Sequence, residues 1–158
     1  MWKPFLYSIK TQNGMKTRLK INEVDLSGYK ALAAIDQYLQ TTPLITKHKD
    51  LIKIRASQIN GCAYCVDLHI KDALKAGETD RRLHNLVTWR ETPFFTEDER
   101  AILALTEEAT LITGRVSDET FNEAVRLFGE KYVAHALLAI ISINGWNRIG
   151  VAFNMMPQ

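Results

Sequence analysis

Cys62-Ala63-Tyr64-Cys65 is the place in this chain where residue types and spacing point most directly at chemistry, and His69 follows four residues after the second cysteine. The chain of 158 residues holds only these 2 cysteines, too few for a disulfide-rich secreted scaffold. Its first stretch, Met1 to Gly14, carries Lys3, Ser8 and Lys10 and has no apolar run of the length a secretory signal needs. A cytoplasmic, reducing setting is the expectation, and in that setting a CxxC serves catalysis or metal binding more often than structural bridging.

The position of the pair along the backbone matters as much as its spacing. Asn60-Gly61 reads as the stop of one helix, with Gly61 suited to a left-handed turn, and the next helix begins at or near Cys62. Unpaired backbone N–H groups and the positive end of the helix dipole favour a thiolate there. Cys62 and Cys65 are one turn apart, slightly too wide for a disulfide inside a rigid helix. With Cys62 at the half-in cap position the backbone can adjust, and a reversible disulfide becomes feasible. Cys65 and His69 share a helix face at about 6 Å along the axis, which suits a proton relay directly or through one water. Cys65 is therefore the thiol expected to lose its proton and attack, and Cys62 the resolving or partner-facing thiol. A relay histidine needs an orienting acid. Asp67 and Asp72 lack the spacing to share the Cys65/His69 face; Asp50, on the preceding helix, is better placed if that helix packs antiparallel beside the third. Zinc is the competing chemistry, with Cys62, Cys65 and His69 joined by Asp50, His48 or water, but no second CxxC or HxxxH supplies a complete set. No metal and no cofactor is expected, and no glycine-rich phosphate loop is present.

The rest of the sequence must position this constellation. Its length suits one domain with a core of its own. A hydrophobic content of 46% excludes disorder along the whole chain, and Lys+Arg 20 against Asp+Glu 18 gives no footprint for nucleic acid. The longest apolar stretch, Tyr132 to Ile143, is too short to span a bilayer. Residues 1–14 read as an N-terminal extension, and the periodic domain runs from 15 to 158. The periodicity predicts an all-α fold of six to seven helices. They are Ser27 (cap) to Gln40, Ile45 to Ile59, Cys62 to Ala76, Thr79 or Asp80 to Arg90, one after the Thr96-Glu97-Asp98-Glu99 capping box, one after the Ser117 cap, and a central helix from Glu130 towards Phe153. Gly145 within the last marks a kink or a close helix contact. Trp89, Trp146, Phe94 and Phe95 read as core or subunit-interface aromatics. His48, His84 and His135 read as structural.

Leu51 to Cys65, with His69, Ala76-Gly77, Trp89-Arg90-Glu91-Thr92-Pro93-Phe94 and Ile143-Asn144-Gly145-Trp146-Asn147-Arg148, resembles the AhpD-like alkylhydroperoxidases of the carboxymuconolactone decarboxylase superfamily. The resemblance spans roughly residues 15 to 153. It implies an all-helical protomer that assembles into trimers, hexamers or larger rings. It also implies a CxxC that reduces hydroperoxides and is re-reduced by a dithiol partner such as a lipoyl domain or a thioredoxin-like protein. By position it makes Cys65 the peroxide-reacting cysteine, Cys62 its partner, His69 the relay histidine and Asp50 the relay acid. Asp50 is one methylene shorter than the glutamate found there, so a direct bond to His69 becomes water-mediated. Tyr64 stands where the best-known branch has a histidine, which leaves fewer bases beside the thiols. Two alternatives share the scaffold: a lyase like the carboxymuconolactone decarboxylases, and a non-enzymatic oligomer that senses redox state.

Overall fold

Turn and cap chemistry sets most of the helix boundaries in the computed structural model, which describes residues 15–157. The eight α-helices among them are α1 (Ile21–Val24), α2 (Leu26–Leu39), α3 (Thr46–Asn60), α4 (Ala63–Lys75), α5 (Asp80–His84), α6 (Glu97–Thr110), α7 (Asp118–Phe128) and α8 (Glu130–Ala152). Short 3-10 turns cover Leu86–Glu91 and Ile112–Gly114. The described residues are thus all-α, as the periodicity predicts, and the extension read into residues 1–14 lies outside them.

Three boundaries differ from the expectation. α2 is capped by Asp25 rather than Ser27: its carboxylate accepts the Gly28 N–H at 2.9 Å. α1 is a single turn, too short to show a periodicity of its own. The helix expected from Thr79 or Asp80 to Arg90 breaks at Asn85, whose side chain donates to the Arg81 carbonyl at 2.8 Å. Asparagine offers the backbone an alternative to the helical ladder in this way. The other signals act as read. The Glu99 carboxylate reaches back to the Thr96 N–H at 2.9 Å, and Ser117 Oγ accepts from Thr120 N at 3.2 Å.

α3 is the hub, packed against α4, α6 and α8. Ile52 and Ala56 face the core shared with α6 and α8, where Ile102, Leu105, Ala139, Ile140 and Ile143 meet. Leu51 and Ile54 face the second core, with Ala73, Leu86, Trp89, Phe95 and Leu103. Each large aliphatic side chain buried this fully contributes about 1.5–3 kcal/mol, so α3 is held from both sides and is a rigid base for the start of α4. α8 is central, yet it is not buried all round: Leu137 and Ile141 stay 42% and 50% exposed. At Gly145 a Cβ would come 3.2 Å from Leu32 Cδ1, so that glycine marks a close contact with α2.

Candidate functional site

The site begins at the junction of α3 and α4. Gly61 takes φ 68° and ψ 30°, the left-handed conformation that glycine adopts without strain. The Cys62 N–H then donates to the Ser57 carbonyl at 3.1 Å and the Gly61 N–H to the Gln58 carbonyl at 3.3 Å. These are the two bonds of a Schellman stop. The residue that completes this stop is also the first of the next element: Cys62, at φ −85° and ψ 92°, is the N-cap of α4. Its extended backbone brings the Cα atoms of Cys62 and Cys65 to 5.3 Å, and the two sulfurs are joined as a disulfide. Cys62 Sγ also accepts the Cys65 N–H at 3.3 Å, one of the orphan amides of the helix start.

The two sulfurs face different surroundings. Cys65, with Tyr64, Leu68 and His69 of α4, lines a cavity of about 590 Å³, and Cys62 does not. Tyr29 and Asp36 of α2, Lys53 of α3, and Ile143, Trp146 and Ile149 of α8 form the other walls, with Met155 and Met156 at the chain's end. Both cysteines are buried, Cys62 at 2% and Cys65 at 4% exposure, and α8 backs them both: a Cβ on Gly150 would sit 2.5 Å from the Cys62 sulfur and 3.2 Å from that of Cys65. Gly150 is what allows α8 to approach the bonded pair.

His69 is held in its neutral form. Burial, and secondarily the positive charge of Lys53, push its pKa down to about 4. Its side chain is 14% exposed, and the nearest carboxylate is Asp72, with Oδ2 4.0 Å from Nδ1. Asp72 therefore reaches His69 by i,i+3 spacing without sharing the Cys65 face. Asp50 is half-buried and lies near Lys53, Asp72 and Glu78, and burial raises its carboxyl pKa. Among the described residues no direct hydrogen bond or ion pair joins Asp50 to His69, and the carboxylates that act on His69 are those of Asp72 and Asp36. No group of three or more His, Cys, Asp or Glu side chains is placed to hold a metal ion among the described residues.

Sequence reasoning missed the opposite wall. Asp36 Oδ2 accepts from Trp146 Nε1 at 2.7 Å and from Ser142 Oγ at 3.0 Å, while Oδ1 lies 3.7 Å from Lys53 Nζ. Trp146 is thus a cavity wall held in place by the Asp36 carboxylate. No local motif announces Asp36 or Lys53, since their partners are contributed by other helices. Ser57 and Asn60 belong to a polar seam between α3 and α8. Asn60 Nδ2 donates to Asn144 Oδ1 (3.0 Å) and Asn147 Oδ1 (2.9 Å), and Asn147 Nδ2 donates to Ser57 Oγ (2.9 Å). The seam fixes α8 beside the α3–α4 junction, where its glycine meets the cysteines. Of the remaining histidines, His48 lies between Tyr132 Oη (2.8 Å) and Asp98 Oδ2 (3.2 Å), and His135 Nε2 is 3.4 Å from Tyr38 Oη. Trp89 is buried in the second core, its Nε1 donating to Glu107 at 2.9 Å.

Comparison with known proteins agrees with this architecture. Residues 28–108 match the carboxymuconolactone decarboxylase family. An uncharacterized Bacillus subtilis (strain 168) protein, YdfG, is 38% identical over 139 residues, covering 87% of this chain and 95% of that one. A crystal structure of a protein of unknown function from Agrobacterium tumefaciens, provisionally named as the antioxidant defence protein AhpD, superimposes with a TM-score of 0.88 at 35% identity, over 90% of this chain and 99% of that one. The debrominase Bmp8, solved with 2,3,4-tribromopyrrole, shares the fold at 19% identity and a TM-score of 0.77, over 86% of this chain and 73% of its own. The same fold thus also serves a debrominase. With its helical frame and a CxxC at a helix start, this chain belongs to the carboxymuconolactone decarboxylase family and has the AhpD-like fold.

Proposed function

We propose that the protein is a thiol-dependent hydroperoxidase of antioxidant defence. The observation that carries this reading is the presence of Cys65 and a neutral imidazole, His69, on one cavity, with a second cysteine already within bonding distance. The Cys65 thiol gives its proton to His69 and attacks the O–O bond of a hydroperoxide. The departing alkoxide takes that proton and leaves as the alcohol, and Cys65 becomes a sulfenic acid. Asp50 is the water-linked acid behind His69. Cys62 then attacks the sulfenic sulfur, water is released, and the disulfide forms. A dithiol donor returns both residues to thiols by exchange. Neutral His69 keeps a nitrogen free to accept the proton. The lining of Tyr29, Trp146, Ile143 and Leu68 suits a hydroperoxide with an apolar body.

The same reading places the protein in a reducing compartment, the cytoplasm, with a lipoyl or thioredoxin-like protein as dithiol donor. It also makes the protein a homo-oligomer, a trimer or hexamer, which the exposed Leu137 and Ile141 on α8 support. None of the helices among the described residues is long and apolar enough to cross a membrane. The test is consumption of cumene hydroperoxide with dithiothreitol as donor. Activity is expected to vanish in Cys65→Ser and to persist in His84→Ala, whose side chain lies on the surface. An unimpaired Cys65→Ser enzyme would overturn the proposal.

A further inference from the structure

We infer that Lys53 is an anion subsite and that the substrate is a hydroperoxide with an apolar body and a carboxylate. This rests on the hydroperoxidase reading and names the substrate class for it. The observation is a cation with donors to spare on a largely apolar cavity. Lys53 of α3 lines the cavity together with Cys65 and His69. Its side chain is 20% exposed, and its ion-pair partner is Asp36, with Oδ1 3.7 Å from Nζ. That separation is longer than a hydrogen bond, so the pair leaves the N–H groups of the ammonium open to another acceptor. Asp36 is committed elsewhere: its Oδ2 accepts from Trp146 Nε1 at 2.7 Å and from Ser142 Oγ at 3.0 Å, which fixes the carboxylate to the wall. Asp50 feels the Lys53 charge but does not line the cavity. The lining has a second cation, Lys20, but its side chain is 60% exposed and is paired with Glu23 at 3.0 Å. His69, neutral, adds no charge. Lys53 is therefore the sheltered positive charge of the cavity, and a carboxylate beside it forms a charge-assisted hydrogen bond.

The rest of the cavity suits the remainder of such a molecule. Its volume of about 590 Å³ is far more than hydrogen peroxide fills and falls in the range of about 300–1,000 Å³ typical of sites for organic ligands. Leu68, Ile143, Trp146 and Ile149 offer apolar surface between Lys53 and the mouth. The acid group takes no part in the chemistry. The hydroperoxy acid accepts two electrons from the cysteine pair and leaves as the hydroxy acid, with one water, while the pair becomes the disulfide. Lys53 holds the substrate equally before and during O–O cleavage, so it acts on KM more than on kcat.

The experiment compares cumene hydroperoxide with 4-carboxycumene hydroperoxide, which share the reacting group and differ in the acid. With dithiothreitol as donor, the wild type should favour the carboxylated substrate by at least about tenfold in kcat/KM, chiefly through KM. In Lys53→Met that preference should disappear. The substitution also alters His69, but it does so for both substrates alike, so the ratio isolates the contact with the acid group. A wild type that uses both substrates equally, or a preference that survives Lys53→Met, would overturn the assignment. A second measurement needs no turnover and no variant. 4-Isopropylbenzoate, which has no O–O bond, is titrated into the oxidised wild-type protein and followed by NMR. Saturable shifts of the Trp146 indole N–H are expected, with 4-isopropylbenzyl alcohol binding at least about tenfold more weakly; equal binding of the two, or none by the benzoate, would count against the subsite. Benzoate binding without turnover of either hydroperoxide would sink only the peroxidase reading, and equal turnover of both hydroperoxides would sink only the subsite.

Discussion

Gly150→Ala is the substitution that most directly tests the contact between α8 and the cysteines. The new Cβ would lie 2.5 Å from Cys62 Sγ and 3.2 Å from Cys65 Sγ, against a comfortable separation of about 3.5–4.0 Å. In the oxidised protein neither sulfur can move away, because each is bonded to the other. In the reduced protein Cys62 can rotate about its Cα–Cβ bond. The methyl group therefore penalises the disulfide more than the dithiol. Overpacking of this kind costs about 1–3 kcal/mol, while replacing a helical glycine by alanine gains about 1 kcal/mol in both redox states. Only the first effect separates the two states. At about 30 mV per 1.4 kcal/mol for a two-electron couple, the reduction potential should rise by roughly 20–65 mV. The assay is equilibration in dithiothreitol redox buffers with the oxidised fraction read by alkylation and mass shift. Gly145→Ala is the control: its Cβ meets Leu32 at 3.2 Å and no sulfur, so it should change stability without moving the potential. An unaltered potential in Gly150→Ala, or one that shifts equally in both variants, would show that α8 does not press on the bonded pair.

Asn147, 1% exposed, joins Ser57 to Asn60, so Asn147→Ala should lower stability by about 1–3 kcal/mol in urea unfolding; a loss under about 0.5 kcal/mol would show that the seam is dispensable. His48 and His69 both have pKa values lowered chiefly by burial. Their unfolded forms take up protons first as the pH falls, so stability should be full above about pH 6.5 and decline below it. For His69 the window extends down to about 4, and the whole loss is worth about 3 kcal/mol; stability that is level from about pH 7 to about 4.5 would contradict the burial of both imidazoles. Lys53→Met should raise the His69 pKa, because the ammonium charge disfavours the imidazolium, and an NMR titration of the ring nitrogens reads that shift directly.

The junction at the heart of the site is encoded locally. Gly61 as helix stop, Cys62 as the next cap, Cys65 one turn on and His69 another turn on are all legible because they depend on capping and helical periodicity, which act within a few residues. The order of the main helices was legible for the same reason, with α1 and the break at Asn85 the exceptions. Helix packing sets which sulfur faces the cavity, which carboxylate stands nearest His69, and the completion of the walls by Asp36, Lys53 and Trp146. Asp36 and Trp146 are 110 positions apart in the chain, and no local pattern encodes that pair. Gly150 and the two asparagines of α8 acquire meaning only through the approach of α8 to α3. Such an approach is set by the summed packing of many side chains, each contributing little by itself, so it cannot be read from any one stretch.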